Sequence, residues 1–406
     1  MGPQGDARVS SVAIVPGLAA ATGRATVIGL DPVSGRPLWT APRADGPLDT
    51  PAIDPTAGPH GVVVFTEGKQ AADSAVAALD PSTQARLWTT PLGEVVIGSP
   101  TIDGGTVFVG ARDRTVSAID AVSGKVRWKR VTSGRVNTSP AVAGGLVFVT
   151  SQDEQTGKAQ LAALDVATGE SRWTYSPSHV GIGISSVTVG GNRVYVGFND
   201  LAVRAFAQST GRLLWTQAVR ASFSPLSALA FSGGSVYAVD DAGGVYRFAA
   251  GTGHRFWDYQ FPSDVTWGSP LITGSTLYIG MDDGTAAAIN VASGHLVWRG
   301  RLPFGAMGAF APAGDLLLVP AVGARGGVVA FAHDPLGRLI DQPSPTQLDI
   351  GAALANFSGA FLVMTALILG LFRLLARWRG IRMPPSVEEP GAGAGAGALR
   401  AEGTEP

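Results

Sequence analysis

Residues 118–128 read AIDAVSGKVRW and residues 163–173 read ALDVATGESRW. The two stretches share the pattern Ala-x-Asp-x-x-Ser/Thr-Gly-x-x-x-Trp, and looser copies of it end at Trp39, Trp88, Trp215, Trp257 and Trp298. Successive tryptophans, from Trp39 through Trp128 and Trp173 to Trp298, are 49, 40, 45, 42, 42 and 41 residues apart. A period near forty with strand-like content specifies a β-propeller or a solenoid. Each phrase is preceded by two short apolar segments joined by a Gly-Gly or Asp-Gly turn, such as 99–102 and 107–110, which read as a hairpin. The phrase itself supplies an alternating strand, a Ser/Thr-Gly turn and an outer strand ending in Trp. Four antiparallel strands per unit make a propeller blade, whereas a solenoid coil of this length shows parallel-strand or helical periodicity.

Glycine stands four residues before the tryptophan in six copies (Gly35, Gly124, Gly169, Gly211, Gly253, Gly294), with Gln84 in the remaining one. The residue before it is always Ser or Thr. Positive φ at the glycine and a hydroxyl bonded to the turn backbone account for both. Each tryptophan is expected to fill the gap between neighbouring blades. An eighth, worn unit has middle strands at 314–319 and 327–331, Gly337 at its turn, and Asp341 where Trp is expected. The first unit reads as lacking its innermost strand, because residues 9–15 look like a second strand. Ring closure then needs a strand from Ser344-Pro345-Thr346, which resembles the inner-strand openings Thr50-Pro51, Ser99-Pro100 and Ser139-Pro140, or from residues upstream. The fold expected is all-β: an eight-bladed, alternatively seven-bladed, propeller over residues 1–343, with 344–353 as a linker or closing strand.

The repeated phrase resembles the tryptophan-docking motif of the pyrroloquinoline-quinone (PQQ) propeller family. That family includes quinoprotein alcohol dehydrogenases and the non-enzymatic BamB-type assembly propellers of the outer membrane. The resemblance covers roughly residues 9–341 and implies fold rather than activity, because both branches share the motif. The paired Gly-His and Trp-Asp marks of a WD40 repeat are absent.

Residues 354–372, LANFSGAFLVMTALILGLF, carry no charge and are followed by Arg373, Arg377, Arg379 and Arg382. At 1.5 Å per residue the run spans roughly 28 Å, close to a bilayer core. A transmembrane helix over 354–376 is therefore expected. The arginines place the C-terminus in the cytoplasm and the propeller outside the membrane. Residues 1–6 have no basic n-region, so either upstream residues direct export, which would also provide the missing strand, or the charge rule misleads and the propeller stays inside; the first settles both anomalies and is the expectation. Gly351, Ala355 and Gly359 form a row of small residues suited to self-association of the helix. The remainder, 377–406, is a basic juxtamembrane segment and a Gly/Ala/Pro/Glu tail expected to be disordered.

The 406 residues include 15% charged residues, carry a net charge of −1 and contain no cysteine. Nucleic-acid binding has no electrostatic footprint here, and disulfides, thiolate metal sites and haem attachment are excluded. In a propeller the site is the mouth of the central channel. The residues expected nearest the axis are Asp49, Ile97, Asn137, Ile184, Phe223, Trp267 and Met307. A PQQ site needs oxygen ligands for calcium, cations for the quinone carboxylates and a general base. This mouth shows one carboxylate, Asp49, and no clustered cations. The resemblance to the dehydrogenases further implies a vicinal cysteine pair, which this chain lacks. Acidic pairs at Asp153-Glu154, Asp240-Asp241 and Asp282-Asp283, with Asn199-Asp200 similar, read as turn chemistry, and the five histidines are scattered singly.

The reading that follows is a membrane-anchored, non-enzymatic scaffold without cofactor, which binds an envelope protein or peptide through Phe223, Trp267 and Met307. The alternative is a quinoprotein oxidoreductase or quinone sensor with PQQ and calcium at the funnel.

Overall fold

The computed structural model describes residues 13–23, 25–34, 36–46, 49–177, 185–219, 229–262, 269–281, 285–301, 305–306, 310–313, 316–322, 327–333 and 339–340. They form eight antiparallel sheets taken in chain order. The third sheet shows the plan: Thr101–Asp103, Thr106–Ala111, Thr115–Asp120 and Val126–Val131 run from inner to outer strand. Seven sheets have four strands, and the eighth has five, because Gly305–Ala306 and Ala311–Ala313 both pair with Leu316–Val322. Inner strands of successive sheets touch from the first to the seventh, and Ala311–Ala313 meets Ala13–Val15. This circular contact order makes the architecture a β-propeller. The middle strands are almost wholly buried, as in Val62–Glu67 and Thr106–Ala111, whereas outer strands alternate, as in Arg86–Pro91. The apolar core therefore lies in layers between sheets.

The first sheet departs from expectation. Its inner strand is Ala13–Val15 and its second strand is Leu18–Thr22, so all four strands come from contiguous residues and none has to be borrowed. Three consecutive alanines have weak strand propensity, which hides Leu18–Thr22 in the sequence. Here Ala19, Ala20 and Ala21 are fully buried, and packing decides. The eighth unit has its middle strands at Leu316–Val322 and Gly327–His333. The suggested closing strand, the 354–376 helix and the tail lie outside the described residues. Among the described residues, no helix is long and apolar enough to cross a membrane.

The phrase builds each outer hairpin. Asp120 Oδ1 accepts the amides of Val122 (3.2 Å) and Ser123 (2.7 Å) and the Ser123 hydroxyl (2.8 Å). The Gly124 amide closes the turn on the Asp120 carbonyl at 2.9 Å. Asp31, Asp80, Asp165 and Asn290 act in the same way. The third strand then shifts register by a bulge, between Ala118 and Ile119 in the third sheet and at the equivalent place in the first seven sheets. Bulges add local twist; each one directly follows the residue paired with the tryptophan.

Each tryptophan then reaches forward into the next sheet. The indole nitrogens of Trp88, Trp128, Trp173, Trp215 and Trp257 donate to the carbonyls of Ala121, Val166, Gln208, Ala250 and Val291 at 2.9 to 3.0 Å. Under each ring lies the turn glycine of that next sheet. A β-carbon on Gly124, Gly169, Gly211, Gly253 or Gly294 would stand 2.5 to 2.7 Å from the ring. These glycines are thus required twice, for φ between +68° and +75° and for space.

The seam between the first and second sheets breaks the rule. Gln84 occupies the glycine position at φ +58°. Trp39 pairs with Gly29, where five of the other six sheets have Ala and one has Arg247. A β-carbon at Gly29 would overlap the Trp39 ring. Trp39 therefore lies against its own sheet, and its indole N–H does not join the series of cross-sheet bonds.

Two outcomes follow. Gly169→Ala should lose about 2–5 kcal/mol in urea unfolding, from left-handed strain plus overpacking against Trp128. Gly145→Ala, at φ +75° with open space around it, should lose only about 1–2 kcal/mol. The second concerns acid. Arg172 and the Thr168 amide hold the Asp165 carboxyl down at about 2, against an ordinary 3.8. Because the folded value is depressed, this stabilisation is present above pH 3.8 and disappears as pH falls toward 2. Arg172→Gln should raise the Asp165 midpoint in a carboxyl NMR titration and flatten the acid limb of stability in that window.

Candidate functional site

The mouth is built by the connections between second and third strands and by those leading from each outer strand to the next inner strand. The Ser/Thr-Pro openings tie this rim together. The amides of Thr50, Ser99 and Ser139 donate to the hydroxyls of Ser99 (2.9 Å), Ser139 (2.9 Å) and Ser186 (3.4 Å) in the following sheets. Thr101 and Thr188 add hydroxyl bonds to the carbonyls of Pro140 (2.7 Å) and Leu229 (2.6 Å). The rim is thus a chain of cross-sheet hydrogen bonds.

Asp49 is not an open carboxylate at this mouth. It is 1% exposed and pairs with Arg43 at 3.0 Å, both side chains being fully removed from solvent. The Thr66 amide donates to its Oδ2 at 2.8 Å and the Thr22 hydroxyl to its Oδ1 at 3.2 Å. Arg43 also donates to the carbonyls of Gly23, at 2.8 Å, and Thr66. Counted from the inner strand, Asp49 matches Gly98, Thr138 and Ser185, one residue past Ile97 and Asn137. Such positions turn onto the second strand of their own sheet, where Thr138 meets the Thr150 hydroxyl at 2.6 Å and Ser185 accepts the Gly197 amide at 2.8 Å, as Asp49 accepts the Thr66 amide. Burial pushes the Asp49 carboxyl up and the Arg43 guanidinium down from their ordinary values, and each opposes the shift of the other. The pair is a structural clamp between the first and second sheets.

The rim also holds cations that linear reading separates. Glu154 accepts from Arg112 at 3.1 Å, from Arg135, and from Asn137 at 3.4 Å. Arg112 sits in the hairpin 112–114 and Arg135 in the connection 132–140, brought together because Arg135 bridges to Gln152 across the sheet boundary. Sequence reasoning found no clustered cations because the two belong to different connections. Ile97 is 44% exposed. The described acidic pairs serve turns and ion pairs. Asp153 caps the amides of Gln155 and Thr156, Asp200 holds Arg204, and buried Asp240 accepts the Gly244 amide and the Tyr246 hydroxyl, both at 2.7 Å. Ile184, Phe223, Trp267, Met307 and Asp282-Asp283 lie outside the described residues.

A calcium-bound quinone needs carboxylates free to ligate. Asp49 is committed to Arg43 and the Thr66 amide, Glu154 to two arginines, and among the described residues no group of three His, Asp or Glu stands together. The described donor set does not fit that group. Asp49→Ala, which strands the buried Arg43, should cost about 3–5 kcal/mol in denaturant unfolding, and Arg43→Met with Asp49→Leu should recover most of it.

Three comparisons place this geometry among known proteins. The crystal structure of BamB from Moraxella catarrhalis superposes with a TM-score of 0.64 at 20% identity, covering 81% of this chain and 98% of that one. The computationally designed Ika8 protein gives 0.65 at 17% identity, with 82% and 97% covered. A europium-containing methanol dehydrogenase gives 0.55 at 15%, with 78% and 82% covered. At these identities the likeness is one of fold. A search of the curated proteins finds no sequence match. The family model for outer membrane protein assembly factor BamB matches residues 72–240 and 185–333, two overlapping stretches that span more than half of the sequence. The chain belongs to this BamB-like family of PQQ-type propellers.

Proposed function

We propose that the chain is a non-enzymatic scaffold of the cell envelope that binds another protein or peptide at the channel mouth. The observation that carries this reading is the state of the mouth's ionisable groups. Asp49, Glu154, Arg112 and Arg135 are engaged with one another or with backbone, so these groups make shape and hydrogen-bonding surface rather than a free acid, base or ligand set. The family match to an assembly factor supports the same function class. On this proposal residues 354–376 anchor the chain in the membrane with the propeller outside and residues 377–406 in the cytoplasm, and Phe223, Trp267 and Met307 contact the partner.

The test is photo-crosslinking from positions 223, 267 and 307 of the full chain in membranes, together with a PQQ titration with and without calcium. We expect discrete protein adducts at those positions and no saturable change in tryptophan fluorescence on titration. Saturable, calcium-dependent quenching lost in Trp267→Ala would falsify the scaffold reading and assign a quinone site. Protease protection of a C-terminal tag in inverted vesicles checks the topology: a protected tag overturns the cytoplasmic placement.

A further inference from the structure

A cleft of about 310 Å³ lies at the irregular seam between the first and second sheets, on the face opposite the mouth. It lies between the hairpin turn of the first sheet (Val15 to Leu18), Leu38 and Trp39 of its outer strand, and the connection from Ile53 to Val62 in the second sheet. That connection spans Pro55–Gly61 where the third and fourth sheets use two glycines, so the second sheet carries an added loop here. A second cleft of about 460 Å³ flanks the other side of the same loop, and Ile53, Asp54 and Pro55 line both.

Asp54 is the unusual group. It is 8% exposed, its Oδ1 accepts the Thr56 amide (2.8 Å) and hydroxyl (2.7 Å), and its Oδ2 has no donor among the described residues. Asp80, also in the second sheet, is already held by His60 at 2.7 Å and by the Ser82 and Thr83 amides. The remaining walls include Trp39, Pro16, Pro55 and Pro81. A nearly buried carboxylate with an open oxygen, in a cleft also lined by an indole and proline rings, asks for a cation that tolerates desolvation. A guanidinium is planar, weakly hydrated and stacks on aromatic faces, unlike a strongly hydrated ammonium. The volume is at the low end of the roughly 300–1,000 Å³ typical of ligand pockets, which suits one side chain rather than a cofactor. The unjoined Trp39 indole N–H is a donor for the backbone carbonyl of the residue that brings the guanidinium.

We propose that this seam is a receptor for an arginine side chain presented by an extended segment of a partner protein, with Asp54 as counter-ion and Trp39 as stacking wall. This site is separate from the mouth, and its test needs no mouth partner. The full-length protein, labelled with ¹⁵N in its indoles, is titrated with N-acetyl-L-arginine N-methylamide, and with the lysine analogue and calcium chloride as competitors for the assignment. The expected result is a saturable shift of the Trp39 indole resonance with arginine. It should weaken at least tenfold in Asp54→Asn, be lost when Gly29→Ala and Gln84→Gly together restore a regular seam, and be much smaller with lysine. The other indole resonances report that each variant is folded. No saturable shift, an unchanged affinity in folded Asp54→Asn, or a shift reproduced by calcium alone overturns the assignment.

Discussion

The bond from an indole N–H to the carbonyl of the next sheet, made over a glycine that leaves room for the ring, is the constraint on which the propeller depends. It fixes three things at once: the orientation of the outer strand, the distance to the following sheet and the left-handed turn of that sheet's outer hairpin. A neutral hydrogen bond contributes only about 1 kcal/mol net. The five bonds matter because each coincides with aromatic burial and with a steric requirement on another unit. Nearest-neighbour coupling of this kind is how repeat architectures hold together. The rim hydroxyls and the Arg43–Asp49 clamp add a second set of cross-sheet ties nearer the axis.

Much of this was readable from residues 118–128 and their copies, because strand alternation, the turn glycine and the terminal tryptophan are local signals. The glycine's second role was not readable: its β-carbon is excluded by a ring that belongs to the preceding unit, at Trp128 for Gly169. The aspartate of the phrase also does more for the turn than the Ser/Thr hydroxyl first suggested, capping two amides in each of several hairpins. The inner strand of the first sheet was misplaced because Ala19 to Ala21 look like poor strand formers until the neighbouring sheets bury them. At the mouth, a one-residue offset put Asp49 on the axis instead of against the second strand of its own sheet. Nothing local announced that Arg43, six residues earlier, would turn inward to meet it.

The electrostatics of the rim follow from how few charges the chain has. With 15% charged residues, those that converge on the described part of the mouth largely neutralise one another, so recognition there depends on contour and directed hydrogen bonds more than on long-range steering. The opposite face carries a cleft on either side of the added loop of the second sheet, and the smaller of the two lies at the seam where the fit of tryptophan and glycine is broken. There Gln84 stands in place of glycine, Gly29 accepts the Trp39 ring, and Asp54 keeps one oxygen without a donor among the described residues.

The glycine seat also bears on how such a chain grows. Trp88 and the Gly124 that receives it are 36 residues apart and lie in different sheets, so a cut at a sheet boundary separates a ring from its seat. A duplicated or transplanted segment preserves the fit when it carries both the seat for the ring before it and the ring for the seat after it, as the third sheet does with Gly124 and Trp128. The heritable module of this protein is therefore open at both ends, completed only by its neighbours, and a fault in the seat of one module is felt in the module upstream.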